Sequence, residues 1–549
     1  MDHPIPPAAW SHPTSPRNPW ALPAWGLALL SALPLLVILG SWINPAPEVW
    51  SHLMATRLPE VVANTVWMLL GVGVGVLLLG VGLAALVALC DFPGRRFFDW
   101  ALVLPLAIPA YVLAFTLLGF TDHGGPLRTL LTHQFGPKGY WFPNVRSTGG
   151  VCLVLTLVFY PYVYLLARSA FLSQGRQLLE ASRVLGLGPW GAFFHAALPM
   201  ARPAIAAGTA LALMESLADF GAVAVFNYDT FTTAIYKAWF GLFNLQAAAQ
   251  LASLLLLFVA AAMTLERSTR GKTRYFSGQR SSGPPPLPLR GGWGWLATTG
   301  AGLVFLLAFA LPVGQLLAWT ADALAHDLDA RYFALLLHTL TLGGLAALFT
   351  LSGAVILAMA RRQGAGARRG RWIASLAVRL ATLGYALPGS VLAVGVMLVV
   401  VGVDKTLSEA LGISGRVLGG GIAGLLFAYG VRFLAVAFGP VESGLERIRP
   451  SLEEAARGLG ASGGEMLRRV VLPILRPSLL TAALLTLVEV MKEMPATLLL
   501  RPFGWETLAV RIFEMTSEGE WERAALPAIT LVLVGMGPVI LLVRKSAAH

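Results

Sequence analysis

Glu180-Ala-Ser-Arg-Val-Leu-Gly186 returns as Glu454-Ala-Ala-Arg-Gly-Leu-Gly460, a shift (454 less 180) of 274 residues. The same shift holds on both sides of the motif. Asn64-Thr65 meets His338-Thr339, Leu198-Pro199 meets Leu472-Pro473, Arg202-Pro203 meets Arg476-Pro477, and Glu215 meets Glu489. The chain is therefore two tandem copies of one unit, each with the same polar loop set between apolar segments.

Composition says where those segments reside. Of 549 residues, 56% are hydrophobic and 12% charged, whereas a soluble domain averages about 25% charged residues. Crossing the hydrocarbon core takes ~20 apolar residues. The charge-free runs Ala21 to Pro47, Val61 to Cys90, Ala238 to Leu265, Gly291 to Thr320 and Ala524 to Val543 are all long enough. The fold class is an all-α polytopic membrane protein with about twelve transmembrane helices. They are expected near 22–43, 62–89, 98–120, 149–171, 201–226 and 244–265 in the first copy, and near 293–319, 336–360, 374–403, 417–438, 475–500 and 524–544 in the second. Domains follow: a cytoplasmic N-terminal tail at 1–21, a first repeat at 22–265, a Pro-rich cytoplasmic linker at 266–292 and a second repeat at 293–549.

The net charge of +12 does not point to nucleic acid. The basic clusters, among them Arg95-Arg96, Arg361/Arg362/Arg368/Arg369/Arg371 and Arg544-Lys545, follow even-numbered spans, while Asp322, Asp327, Asp329, Glu514, Glu518, Glu520 and Glu522 lie in the intervening loops. Positive-inside bias puts both termini in the cytoplasm. Six spans per copy relate the copies by a pseudo-twofold axis along the membrane normal, with a path at their interface. Cys90 and Cys152 form no disulfide framework or metal pattern. Gly71 and Gly75 have the spacing of a close helix contact.

Gly186-Leu-Gly188-Pro-Trp-Gly191 and Gly458-Leu-Gly460-Ala-Ser-Gly463 fit a dinucleotide fingerprint, but both follow helical sequence instead of a strand. Gly271-Lys272-Thr273 lacks the first glycine of a phosphate loop, since Glu266 stands there. No nucleotide site is expected on this chain. The repeated loop reads instead as a short helix of good helix formers, a stop at Gly186 or Gly460, and a proline-started re-entering span.

The order Glu-Ala-Ala, three residues, Gly, and then Leu472-Pro473 resembles the coupling motif of binding-protein-dependent ABC importer permeases. The first copy departs from it at Ser182, where the second has Ala456. Within that family, Tyr160-Pro-Tyr-Val-Tyr164, Glu215-Ser-Leu-Ala-Asp219-Phe-Gly221 and Glu489-Val-Met-Lys-Glu493-Met-Pro-Ala-Thr497 are similar to the fused ferric-iron permeases. Thiamine permeases share the fused layout. The resemblance implies a non-enzymatic transport subunit in the bacterial inner membrane. It implies ATP hydrolysis on two copies of a separate ATPase subunit, and cargo delivered by a periplasmic or extracellular solute-binding protein. No cofactor is implied on the chain itself, and its surroundings are membrane lipid. Glu180, Ala181, Arg183 and Gly186, with Glu454, Ala455, Arg457 and Gly460, would meet the ATPase.

Charges inside apolar spans are costly and face a cavity or a partner. Glu215 and Asp219 are four apart, as are Glu489 and Glu493, with Lys492 beside the second pair. These five are the candidate translocation-path residues. Oxygen ligands suit a hard cation, although passage needs weak binding, and no metal ligand set is assigned. The alternative is that the carboxylates brace helices against Lys492 and Arg432. Tyr160, Tyr162 and Tyr164 read as an interfacial aromatic belt. An ion-coupled secondary transporter is the rival from another class, and it would need no docking loops. No nucleophile–base pair supports a membrane enzyme.

Overall fold

A computed structural model describes residues 18–45, 47–122, 124–136, 140–172, 182, 186–269, 286–364, 368–412 and 421–547. Parts of the N-terminal tail and of the linker, and Glu180, Ala181 and Arg183, lie outside the described residues.

In the first copy the principal helices are α1 (Ala21–Gly40), α2 (Leu58–Leu89), α3 (Arg95–Ala101), α4 (Ala110–Thr121), α5 (Thr148–Ala170), α6 (Leu198–Ala218), α7 (Gly221–Val225) and α8 (Leu245–Thr269). In the second they are α9 (Gly292–Phe305), α10 (Leu311–Asp327), α11 (Ala330–Gln363), α12 (Arg368–Ala381), α13 (Gly389–Leu411), α14 (Ile422–Glu446), α15 (Pro450–Gly458), α16 (Leu472–Lys492), α17 (Pro495–Leu500), α18 (Leu508–Ser517) and α19 (Ala525–Ala547). A helix satisfies its own backbone groups, which is why apolar segments of this kind take no other form in lipid.

Among the described residues ten helices are long and apolar enough to cross a membrane, and a bent pair, Arg95–Ala107 with Ala110–Phe135, makes eleven. Ala525–Ile540 is a shorter apolar helix. The expected span at 374–403 is divided. α12 is amphipathic, with Arg369, Arg371 and Arg379 on it, and α13 begins only after Pro388. The first copy divides in the same manner at Pro109. Each proline precedes a helix in extended geometry, with φ/ψ of −59°/144° at Pro109 and −54°/142° at Pro388. A proline cannot donate to the preceding turn, so the chain breaks there.

The chain gathers into two compact units that cut across the copies. One comprises the described residues of Met1–Leu33 with Ala347–Tyr385 and Gly430–Thr486. In it the start of α1 lies on second-copy helices. Asn18 Nδ2 donates to the Ala360 carbonyl at 2.8 Å, and Ala24 and Ala28 join Ala354, Leu357, Ala437 and Val441 in one buried cluster.

The other unit comprises Pro34–Ala346, Ala386–Tyr429 and Leu487–His549. Here α9, from the second copy, lies on the first. Thr298 Oγ1 donates to the Pro93 carbonyl at 2.7 Å, and the Phe97 and Phe305 rings meet edge to face at 5.3 Å. The largest apolar cluster is in this unit, around Phe115, Leu155, Tyr160 and Val163. Within it α2 and α5 approach closely. A Cβ on Gly71 would come within 2.5 Å of Cys152 Sγ, and one on Gly75 would collide with Thr156. Small residues at this spacing permit the contact, as membrane helices require.

Two of the expected belt tyrosines are interior residues. Tyr160 and Tyr164 are fully buried, and their hydroxyls donate to the carbonyls of Leu102 at 2.8 Å and Asp99 at 3.0 Å. Those carbonyls are freed where α3 ends, and a buried phenol needs such an acceptor. Tyr162 is half-buried.

Candidate functional site

The second of the repeated loops lies within the described residues. Pro450 starts α15 at a position where its missing N–H costs nothing. The helix ends in a Schellman motif. Ala461 N–H donates to the Ala456 carbonyl at 3.0 Å, Gly460 N–H donates to the Arg457 carbonyl at 2.9 Å, and Gly460 takes φ +84°. The described part of the first loop closes likewise. Leu187 N–H donates to the Ser182 carbonyl at 3.0 Å, and Gly186 takes φ +83°. The left-handed region is open to glycine at little cost.

Glu454, Ala455, Arg457 and Gly460 all face outward on this loop. Leu459 beside them is 89% exposed. Trp190 and Phe194 are exposed at the first loop. Exposed apolar groups ringed by charge mark contact surfaces. Arg457 pairs with Glu453, one turn back at 3.5 Å. Beyond each loop the helix widens into one π turn, Phe193–Ala197 and Leu467–Val471, at equivalent positions. Pro199 and Pro473 follow these turns and leave the preceding carbonyls without their usual donors.

The acidic pairs sit at two equivalent helix breaks. α6 stops at Ala218 and α7 starts at Gly221, while α16 stops at Lys492 and α17 starts at Pro495. Asp219 Oδ1 accepts from the N–H groups of Ala222 at 2.9 Å and Val223 at 3.3 Å. Glu493 accepts from Ala496 N–H and Thr497 N–H, both at 3.0 Å, and from Thr497 Oγ1 at 2.9 Å. Both carboxylates thus satisfy the orphan donors of a helix start. Glu215 and Glu489 are half-buried in the last turn before each break. Lys492 Nζ donates to the Leu106 carbonyl at 3.2 Å.

Three residues not singled out in the sequence complete this region. Tyr111 packs between the breaks. A Cβ on Gly221 would meet Tyr111 Cβ at 2.6 Å and Met494 Cε at 2.8 Å. The Tyr111 hydroxyl is buried with no hydrogen-bond partner among the described residues. Tyr429 Oη and Thr497 Oγ1 are 2.6 Å apart, fully buried. Phe220 is 3% exposed, with its ring 5.3 Å from Tyr236 and 5.4 Å from Phe513. Tyr236 and Phe513 also line a cavity of about 510 Å³ with Arg501, Glu514 and Glu518. The cap residues had a sequence signal, an acid just ahead of Gly221 or Pro495. Tyr111, far away in the chain, had none. Among the described residues no group of His, Cys, Asp and Glu could hold a metal ion.

Comparison with known proteins joins these features. Residues 76–267 and 354–543 each match the family described as binding-protein-dependent transport system inner membrane component. The Fe(3+)-transport system permease protein FbpB 2 of Haemophilus influenzae is 29% identical over 544 residues, covering 97% of this chain and 99% of that protein. The putative 2-aminoethylphosphonate transport system permease protein PhnV of Salmonella typhimurium is 31% identical over 259 residues, 45% of this chain and 90% of that protein. The molybdenum transport system permease protein ModB of Escherichia coli is 33% identical over 147 residues, 27% of this chain and 62% of that protein. The chain belongs to the family of binding-protein-dependent transport system inner membrane components, as a multi-pass permease that carries two such units in one polypeptide.

Proposed function

We propose that this permease imports ferric iron, driven by ATP hydrolysis on two copies of a separate ATPase subunit that dock on α15 and on the loop around Gly186. The observation that carries the cargo assignment is the similarity to a Fe(3+) permease across both copies and nearly the full length of each chain. The relatives named for 2-aminoethylphosphonate and molybdenum match one stretch only. A thiamine permease remains the alternative cargo class from the fused layout.

A soluble binding protein hands cargo to the outer face, and both termini lie in the cytoplasm. Access alternates about the two helix breaks. Phe220, next to Asp219 in the chain, packs on Tyr236 and Phe513, which line the cavity bounded by Glu514 and Glu518. Glu215 and Glu489 are the proposed cation-attracting charges, one turn before Asp219 and Glu493, which accept from backbone N–H groups. A coupled proton or sodium transporter has no use for a repeated loop of the kind that α15 and Gly460 form. The chain itself binds no nucleotide in this reading.

The test is reconstitution with a separate ATPase subunit and a soluble iron-binding protein. Radioactive iron should enter proteoliposomes only with ATP and loaded binding protein. ATP-dependent uptake of thiamine or 2-aminoethylphosphonate, with none of iron, would replace the cargo assignment. Uptake driven by an ion gradient without ATP would overturn the class.

A further inference from the structure

The docking helix α15 is held from behind by one arginine. Arg362, in the last turn of α11, uses every nitrogen of its guanidinium. Nη1 donates to the Leu445 carbonyl at 2.5 Å and Nη2 to the Ile448 carbonyl at 2.7 Å. Nε lies 2.6 Å from Glu453 Oε1. Leu445 is in the final turn of α14, where carbonyls lack intrahelical donors and a cation is favoured. Glu453 is on α15 and only 6% exposed, although it adjoins the outward-facing Glu454. The neighbouring Arg361 pairs with Glu442 of α14. The planar fork of arginine fixes direction as well as charge.

The first copy carries other residues at the two positions of this pair. At the repeat's shift, Ala88 stands for Arg362 and Leu179 for Glu453. Its α5 is pinned by a pair of opposite polarity, Arg168 to Asp99 at 2.6 and 2.7 Å, in which Arg168 takes the place of Glu442.

We infer that Arg362 is a positioning residue that ties the docking helix α15 to the ends of α11 and α14, so that α15 moves with them. The inference rests on the proposed role of α15 as an ATPase contact. A half-buried residue that hydrogen-bonds the end of α14 and forms an ion pair with α15 transmits displacement without touching the partner.

The experiment uses the full complex in proteoliposomes, with Glu453→Gln and Arg362→Gln made singly and together. Glu453→Gln removes the ion pair but leaves both Arg362–carbonyl bonds. Two quantities are read on each preparation: ATPase bound per permease, and the ratio of ATPase rate with loaded binding protein to the rate without it. Glu453→Gln should keep the bound ATPase and lower the ratio about tenfold, a typical coupling between sites. The double variant should be no worse than Arg362→Gln alone, because the two side chains act as one unit. A wild-type ratio in Glu453→Gln would overturn the inference. So would parallel loss of binding and ratio, which would make Glu453 a support for the helix only. Absence of bound or stimulated ATPase in the wild type would instead overturn the docking role itself.

Discussion

Asp219 and Glu493, equivalent in the two copies, each accept hydrogen bonds from the backbone N–H groups three and four residues ahead. The break in each span is thereby closed by its own acid. The sequence pattern of two carboxylates spaced by four separates into a capping residue and a half-buried partner one turn earlier.

The caps should register in stability. Replacing Glu493 by Ala strands buried N–H groups and should cost about 1–2 kcal/mol, as lost helix caps do. Glu493→Gln keeps an acceptor and should cost less. Thermal unfolding of the purified protein in detergent measures both, and equal midpoints for the two variants would contradict the capping role.

Glu215 and Glu489 should behave differently. Changing both to Gln keeps shape and removes charge. Uptake should fall while ATPase association persists. If uptake and complex yield fall together, these groups brace helices, and unchanged uptake would remove them from the path.

The loop glycines offer a conformational test. A bulky residue at Gly186 or Gly460 must adopt φ near +83° or +84°, at roughly 1 kcal/mol or more. Nothing lies within 4 Å of an added Cβ at either site, so the effect is on backbone shape alone. The double variant should insert normally and lose ATPase stimulation. Full stimulation would show that loop shape does not matter to docking.

Tyr111 and Tyr429 should respond oppositely to Phe. The Tyr111 hydroxyl is buried without a partner, so Tyr111→Phe should be neutral or stabilising by about 1 kcal/mol. Tyr429 bonds Thr497, so Tyr429→Phe should destabilise by about 1 kcal/mol. Melting points of the two single variants check the sign. Destabilisation by Tyr111→Phe would reveal a partner that this conformation does not provide.

Orientation is testable by labelling. In a background lacking Cys90 and Cys152, a cysteine at Leu328 should react with an impermeant thiol reagent from outside, and one at Arg270 should not. Reaction at Arg270 in intact cells would invert the assigned sidedness.

The repeat and most spans were legible because apolar length and a shared loop are local signals. The docking glycines were legible for the same reason, since helix stops are written in adjacent residues. The division of 374–403 was hidden by overall hydropathy, although Arg379 sits within that run. An amphipathic helix followed by a proline break averages out in a long window. Tyr160 and Tyr164 were misplaced because their acceptors, Leu102 and Asp99, belong to another helix. Tyr111 and Arg362 were invisible for a related reason: their surroundings are assembled from distant stretches of chain.

The exchange of first helices has a consequence for biogenesis. α1 leaves the ribosome well before the second copy, yet Asn18 is held by Ala360 and Leu27 packs near Gly353. The surface that receives it is synthesised more than half a chain later. Contacts so distant in sequence form slowly, so α1 waits in lipid while the first copy is still without α9 over Pro93. Neither half can finish packing on its own, and a gene cut at the linker would yield two products that mature only when made together.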